Sequence, residues 1–162
     1  MLNQLQVAVH VGGFQIRPPT GYVLKRKPGP DGSEAFAWVG APRSDKTQPY
    51  LMVATIGLPA AEAKKYTLDQ ILDKFLQGVE RRRAADWKRT PTEHGSINGQ
   101  AFVRARWNAS VRGSALKMHG FHYVATFGHR VIQISSQDAE PYHQRALKVA
   151  EAGALTFQIK SQ

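Results

Sequence analysis

A chain of 162 residues, 42% of them hydrophobic, is long enough to close one ordinary domain around its own core. It contains no cysteine, which excludes disulfides, thiolate metal sites and cysteine nucleophiles and leaves the redox compartment open. Its 22 Lys and Arg against 12 Asp and Glu give a formal charge of +10, which favours nucleic acid, anionic surfaces or acidic proteins as partners, although the basic residues are scattered from Arg17 to Lys160.

The elements follow in chain order. Leu5, Val7, Val9 and Val11 alternate with Gln6, Ala8 and His10, predicting a half-buried strand that ends at Gly12-Gly13. A second strand carries FQIRP, and Pro18-Pro19-Thr20-Gly21 interrupts the pattern before it resumes from Tyr22 to Lys27. KPGPDGSE then reads as a loop rich in turn formers, followed by short strands over Ala35–Val39 and Tyr50–Ile56.

The clearest helix begins at Thr67, whose hydroxyl suits an N-cap, with Gln70 as its capping-box partner. Leu68, Ile71, Leu72, Phe75, Leu76 and Val79 share one face at 3.6-residue spacing, a stripe that must pack on a sheet. Beyond Val79 the stripe runs out into Arg81, Arg82 and Arg83, so the last turn should leave the body of the protein, where cations complement the negative end of the helix dipole. On this reading Arg82 and Arg83 pair with Asp86 at i+4 and i+3. The alternative is that the run Arg81, Arg82, Arg83, Trp87, Lys88, Arg89 binds an anion or a partner.

The second half reads as a meander. Gly95, Asn98 and Gly99 mark turns before AFVRARWNASV, and Gly113-Ser114 has the glycine-first pattern of a two-residue hairpin loop. Closing that loop between Arg112 and Ala115 pairs Trp107 with Gly120, Val103 with Val124 and Ala109 with Met118. The opposite face then pairs Arg104 with Tyr123, Arg106 with Phe121 and Asn108 with His119, placing cations beside rings. A further hairpin at Gly128-His129 sets Ile132 beside Ala125 and Ile134 beside Tyr123, so the sheet has apolar groups on both faces and needs cover on both. The second cover is a helix from about Asp138 to Glu151, with Pro141 in its first turn and Gly153 as its stop, followed by a closing strand, LTFQI. The expected architecture is a single α+β domain over residues 1–162: an antiparallel sheet with helices on both faces, an α/β/α sandwich.

The order of these parts resembles the PsbP-like family, whose fold is shared by the extrinsic photosystem II subunit and a small Ran-binding nuclear transport factor. The resemblance runs from about Gly13 to Ile159. It is carried by GFQIRPPTGY, by the helix TLDQILDKFLQGVE, and by INGQAFVRARW with FHYVATFGHRVIQISSQ. It implies a non-enzymatic accessory or partner-binding role, in a family whose bacterial members include many small envelope or secreted proteins. The absence of a visible transit segment sets this chain apart from the plant photosystem branch.

No motif for chemistry accompanies the fold motifs. GxSxG, GxxxxGK[ST] and GxGxxG are all missing, and Glu93-His94 and Asp138-Ala139-Glu140 read as surface or capping residues. His119 and His122 lie three apart in a strand and so point to opposite faces, which argues against shared chelation; no metal and no cofactor is expected. His122 is expected to be a hydrogen-bonded structural histidine opposite Ser135. Asn108-Ala109-Ser110 fits the glycosylation pattern but falls inside a strand. No apolar run approaches a membrane span and MLNQLQVAVHVGG lacks a signal-peptide pattern, so a soluble chain of open compartment is expected. The function expected is that of an accessory protein with a protein partner. The alternative is a basic module that binds nucleic acid or another polyanion, through Arg81, Arg82, Arg83, Trp87, Lys88 and Arg89, or through Arg104 and Arg106 beside their rings.

Overall fold

The computed structural model describes residues 4–160; residues 1–3 and 161–162 of the expected domain lie outside them. Strands β1 (Val9–Val11) and β2 (Phe14–Ile16) form a tight antiparallel hairpin across Gly12-Gly13. Both glycines have positive φ, and a Cβ at Gly12 would also come within 2.7 Å of the Phe36 ring. The alternation expected from Leu5 onward does not form one strand: Leu5 bridges Pro19, and regular pairing begins only at Val9.

There follow β3 (Val23–Pro28), β4 (Glu34–Val39), β5 (Tyr50–Gly57), a single turn of helix α1 (Ala60–Ala63) and helix α2 (Leu68–Glu80). The capping box at the start of α2 is present: Thr67 Oγ1 accepts from the Gln70 amide, and the Gln70 side chain accepts from the Thr67 amide. Next come β6 (Lys88–Arg89), β7 (Glu93–Ile97), β8 (Gln100–Ser110), β9 (Lys117–Phe127), β10 (Arg130–Ala139), helix α3 (His143–Ala154) and β11 (Gln158–Ile159). The large antiparallel sheet runs in the order β3-β4-β5-β10-β9-β8-β6, with β7 also paired to β8; β11 instead joins β1 and β2 in a separate three-stranded sheet.

The expected registers hold residue for residue across β8, β9 and β10, including Trp107 opposite Gly120, Arg104 opposite Tyr123 and Ile134 opposite Tyr123. Only the first loop differs. The Val111 amide donates to Leu116 O and the Ser114 amide to Val111 O, which makes a four-residue loop in place of the two-residue one. The strand β7 escaped the sequence reading because Glu93-His94-Gly95-Ser96 is polar and exposed. It forms as the partner arm of a hairpin turned by Asn98 and Gly99, both at positive φ.

Two apolar clusters use alternate residues of these strands. Ile71, Leu72, Leu76 and Val79 of α2 pack with Val103, Ala105, Trp107, Val124 and Val131. Ala150 and Ala154 of α3 pack with Phe102, Phe121, Tyr123, Ile132 and Ile134. The start and stop expected for α3 both move. β10 continues through Asp138, because that carboxylate is buried in a bidentate pair with Arg43 at 2.7 Å from each oxygen. Gly153 lies inside the helix, where a Cβ would come within 2.8 Å of Arg17 O, so its smallness serves helix packing and not termination.

Candidate partner-binding surface

The run from Gly78 to Thr90 divides into parts with different environments. α2 ends at Glu80 with Arg81 as its C-cap, and Arg83 bridges Val111 across the end of the β8–β9 hairpin. Because the chain leaves the helix there, the pairing of Arg82 and Arg83 with Asp86 expected from helical spacing does not form. Asp86 instead accepts from the Ser110 amide at 2.9 Å and the Ser110 hydroxyl at 2.7 Å, and these bonds hold its pKa below the usual carboxylate value. Trp87 stacks on Trp107 with ring centroids 5.3 Å apart, so it is a packing residue that extends the α2-side cluster. Arg89 pairs with Asp73 at 2.8 Å and donates to Thr92.

Arg83 departs furthest from a solvated helix end. It is half-buried, with its guanidinium carbon 5.2 Å from the Trp107 ring centroid and Nη2 donating to Gln137 Oε1 at 3.1 Å. Burial first, and Arg82 second, depress its pKa. Arg81 and Arg82 are exposed, and Arg112 joins them by donating through Nε to Arg83 O at 2.9 Å.

Arg104 and Arg106 lie on the sheet side that packs with α3. The rings expected beside them are buried: Phe121 is 2% and Tyr123 3% exposed. Both guanidiniums converge on Glu151 of α3, Arg104 at 3.1 Å and Arg106 at 2.7 Å, while Tyr123 donates to the same carboxylate and Arg104 also reaches Glu93 at 2.8 Å. Burial, with the hydrogen bond to Glu151 next, pushes the Tyr123 pKa up to about 12. Glu151 was invisible as a partner in the sequence, since it stands 45 residues from Arg106.

His119 and His122 point apart, as their spacing requires. His122, expected to be hydrogen-bonded, faces Ser135 across the ladder yet its Nδ1 has no partner, and burial drives its pKa down to about 4. On the other side His119 meets residues from the β10–α3 junction. Its Nε2 lies 2.8 Å from Glu140 Oε1, and its ring stacks on His143 at 3.8 Å with an interplanar angle of 11°. One possible ligand atom from each of His119, Glu140 and His143 falls within 4.8 Å of the others, a grouping of imidazole and carboxylate that suits a divalent ion only once the parallel rings turn toward a common point. His119 and His143 edge a cleft of about 700 Å³ between α3 and the sheet, lined also by Arg106, Asn108, Phe121 and Leu147.

The arrangement of the elements matches solved structures. The solution structure of cyanobacterial PsbP from Synechocystis sp. PCC 6803 aligns with a TM-score of 0.64 over 96% of this chain and 92% of that one, at 17% sequence identity. This chain has the PsbP-like fold. No protein-family model matches the sequence, and no curated protein matches it. The PsbP-like fold therefore rests on the path of the chain and not on shared residues, and at this identity it carries the architecture without any site. No helix among the described residues is long and apolar enough to cross a membrane.

Proposed function

We propose that this chain is a non-enzymatic accessory domain, a PsbP-like sheet covered by α2 on one face and α3 on the other. It docks on a protein partner through the basic surface where α2 ends. What supports this reading is how the candidate cations are engaged. Arg89, Arg104 and Arg106 face carboxylates of their own chain, whereas among the described residues Arg81, Arg82 and Lys88 have no carboxylate within ion-pair distance. Of these, Arg81 and Arg82 lie where α2 ends, and on a chain of charge +10 they steer an acidic protein face toward this end of the molecule, while Lys88 lines the cleft beside α3.

The test is capture from a native extract at low and physiological salt, with and without nuclease, using the intact protein and the Arg81→Ala/Arg82→Ala variant. A discrete protein that survives nuclease and physiological salt, and is retained less by the variant, is the expected result. Failure to capture any discrete protein overturns the reading, and capture unchanged by the variant moves the surface elsewhere.

The same cations favour a second reading, a module for nucleic acid or another polyanion. It predicts retention that nuclease abolishes and that falls steeply with salt. Against it stands the neutralisation of Arg104 and Arg106 by Glu151, which leaves a small cluster at the end of α2 and not a track for a phosphate backbone.

A further inference from the structure

Arg83 has hydrogen-bonding capacity that its own chain leaves unused. Its Nε–H is buried and without a partner. Nη2 is taken by the neutral Gln137 Oε1, and Nη1 makes only a long contact of 3.4 Å with Arg82 O. Three other partly buried guanidiniums meet carboxylates, Arg43 at Asp138, Arg89 at Asp73 and Arg104 at Glu151, and Arg17 satisfies its Nε–H on Gln6 O. Two carboxylates stand three residues from Arg83: Asp86 is committed to Ser110, and Glu80 meets Arg83 only through its backbone carbonyl, while Arg82 and Arg112 bring further positive charge. Beneath the guanidinium, Trp107 carries a second buried N–H with no partner, Nε1. Two unpaired buried donors beside a cation are costly, because each forfeits a bond that water would supply in the unfolded chain. Those two donors are closed to solvent, so what an incoming group meets is the exposed Nη1 edge, where a carboxylate sets its charge against the cation and beside the buried N–H groups.

We propose that a single carboxylate from an acidic segment of the partner docks on the Arg83 guanidinium, flanked by Arg82 and Arg112. This deepens the accessory reading and rests on it. The incoming group replaces the weak contact of Nη1 with Arg82 O, and it engages the side chain that the sheet holds in place while the exposed Arg81 and Arg82 supply attraction at longer range. A point contact of this kind fits one carboxylate better than a polyanion, since the other candidate cations, Arg104 and Arg106, lie on the α3 side of the sheet and are paired with Glu151 and Glu93.

The probe is an acetylated hexaglutamate peptide, with sodium acetate and a single-stranded oligonucleotide as separate arms, titrated into isotope-labelled protein. Addition of the peptide is expected to move the Arg83 Nε–H and Trp107 indole N–H resonances. Arg83→Gln is expected to weaken the peptide about tenfold or more, and Arg83→Lys to weaken it as well, because charge without the fork is insufficient. The wild-type resonances report on the site even if Arg83→Gln lowers stability. The proposal falls if both N–H resonances stay in place at peptide saturation, if Arg83→Gln binds the peptide as wild type does, or if only the oligonucleotide moves them. Acetate that matches the peptide at equal carboxylate concentration also overturns it, since a free anion then suffices. A protein captured from extract equally by wild type and Arg83→Gln leaves the accessory reading standing and removes this inference alone.

Discussion

Trp107 on β8 lies flat against Gly120 on β9, so close that a Cβ at Gly120 would meet the indole carbon Cζ2 at 2.5 Å. The ring has nowhere to retreat, because Trp87 stacks on it and Arg83 lies over it. Gly120→Ala is therefore expected to destabilise the protein by about 1–3 kcal/mol through overpacking, read as a lower denaturant midpoint with an unchanged slope. Wild-type stability in this variant would show that the aromatic stack is soft.

Arg43 and Asp138 form the most enclosed ion pair, with the Asp138 side chain only 1% exposed and bonded through both oxygens. Tyr142 stacks beneath the guanidinium at 4.0 Å, which ties the loop before β5 to the start of α3. Arg43→Ala leaves a buried carboxylate without its counter-ion and is expected to cost about 3–5 kcal/mol. Replacing both residues with apolar ones should cost less than Arg43→Ala alone, a non-additivity that a double-mutant cycle in urea measures directly.

His122 makes stability depend on pH. Burial lowers its folded pKa to about 4 from the ordinary 6.5, so the unfolded chain binds the proton more readily between those values. Nothing is lost above pH 6.5, and stability falls as pH drops from there toward 4, by at most about 3 kcal/mol from this group. Unfolding midpoints measured from pH 7.5 to 4.5 should fall for wild type and fall less for His122→Phe; parallel curves would assign the acid sensitivity elsewhere.

Glu151 restrains two arginines and the Tyr123 hydroxyl at once. Glu151→Gln removes the charge that holds α3 to this part of the sheet, with an expected loss of about 1–3 kcal/mol. It also frees Arg106, while Arg104 keeps Glu93, so affinity for a single-stranded oligonucleotide should rise above wild type at low salt and return to it as salt is raised. Fluorescence anisotropy makes the comparison, and an unchanged affinity would mean that Arg106 stays out of reach of a phosphate backbone.

Local patterns carried a large part of the fold. The registers of β8, β9 and β10 were legible because side chains alternate along a strand, so one well-placed turn commits every pair along the ladder. The start of α2 was legible because Thr67 and Gln70 cap it within three residues. Where a decision depended on a distant partner, local spacing misled. Asp86 sits at helical spacing from Arg82 and Arg83, yet the helix had ended and Ser110, 24 residues away, took the carboxylate. Gly153 looks like a helix stop until Arg17 O is seen to approach it.

By itself, then, the sequence determined the strand alternation, the capped amphipathic helix, the excess of positive charge and the absence of thiol chemistry, all of which depend on residue type and short spacing. Only the tertiary structure decided which cations remain available. That choice depends on whether a carboxylate from another element reaches each arginine, and Glu151 reaches Arg104 and Arg106 because α3 packs on that side of the sheet. Arg83 acquires its half-buried, incompletely paired state in the same way, from Trp107 and Gln137 on strands that meet it only when the chain is folded.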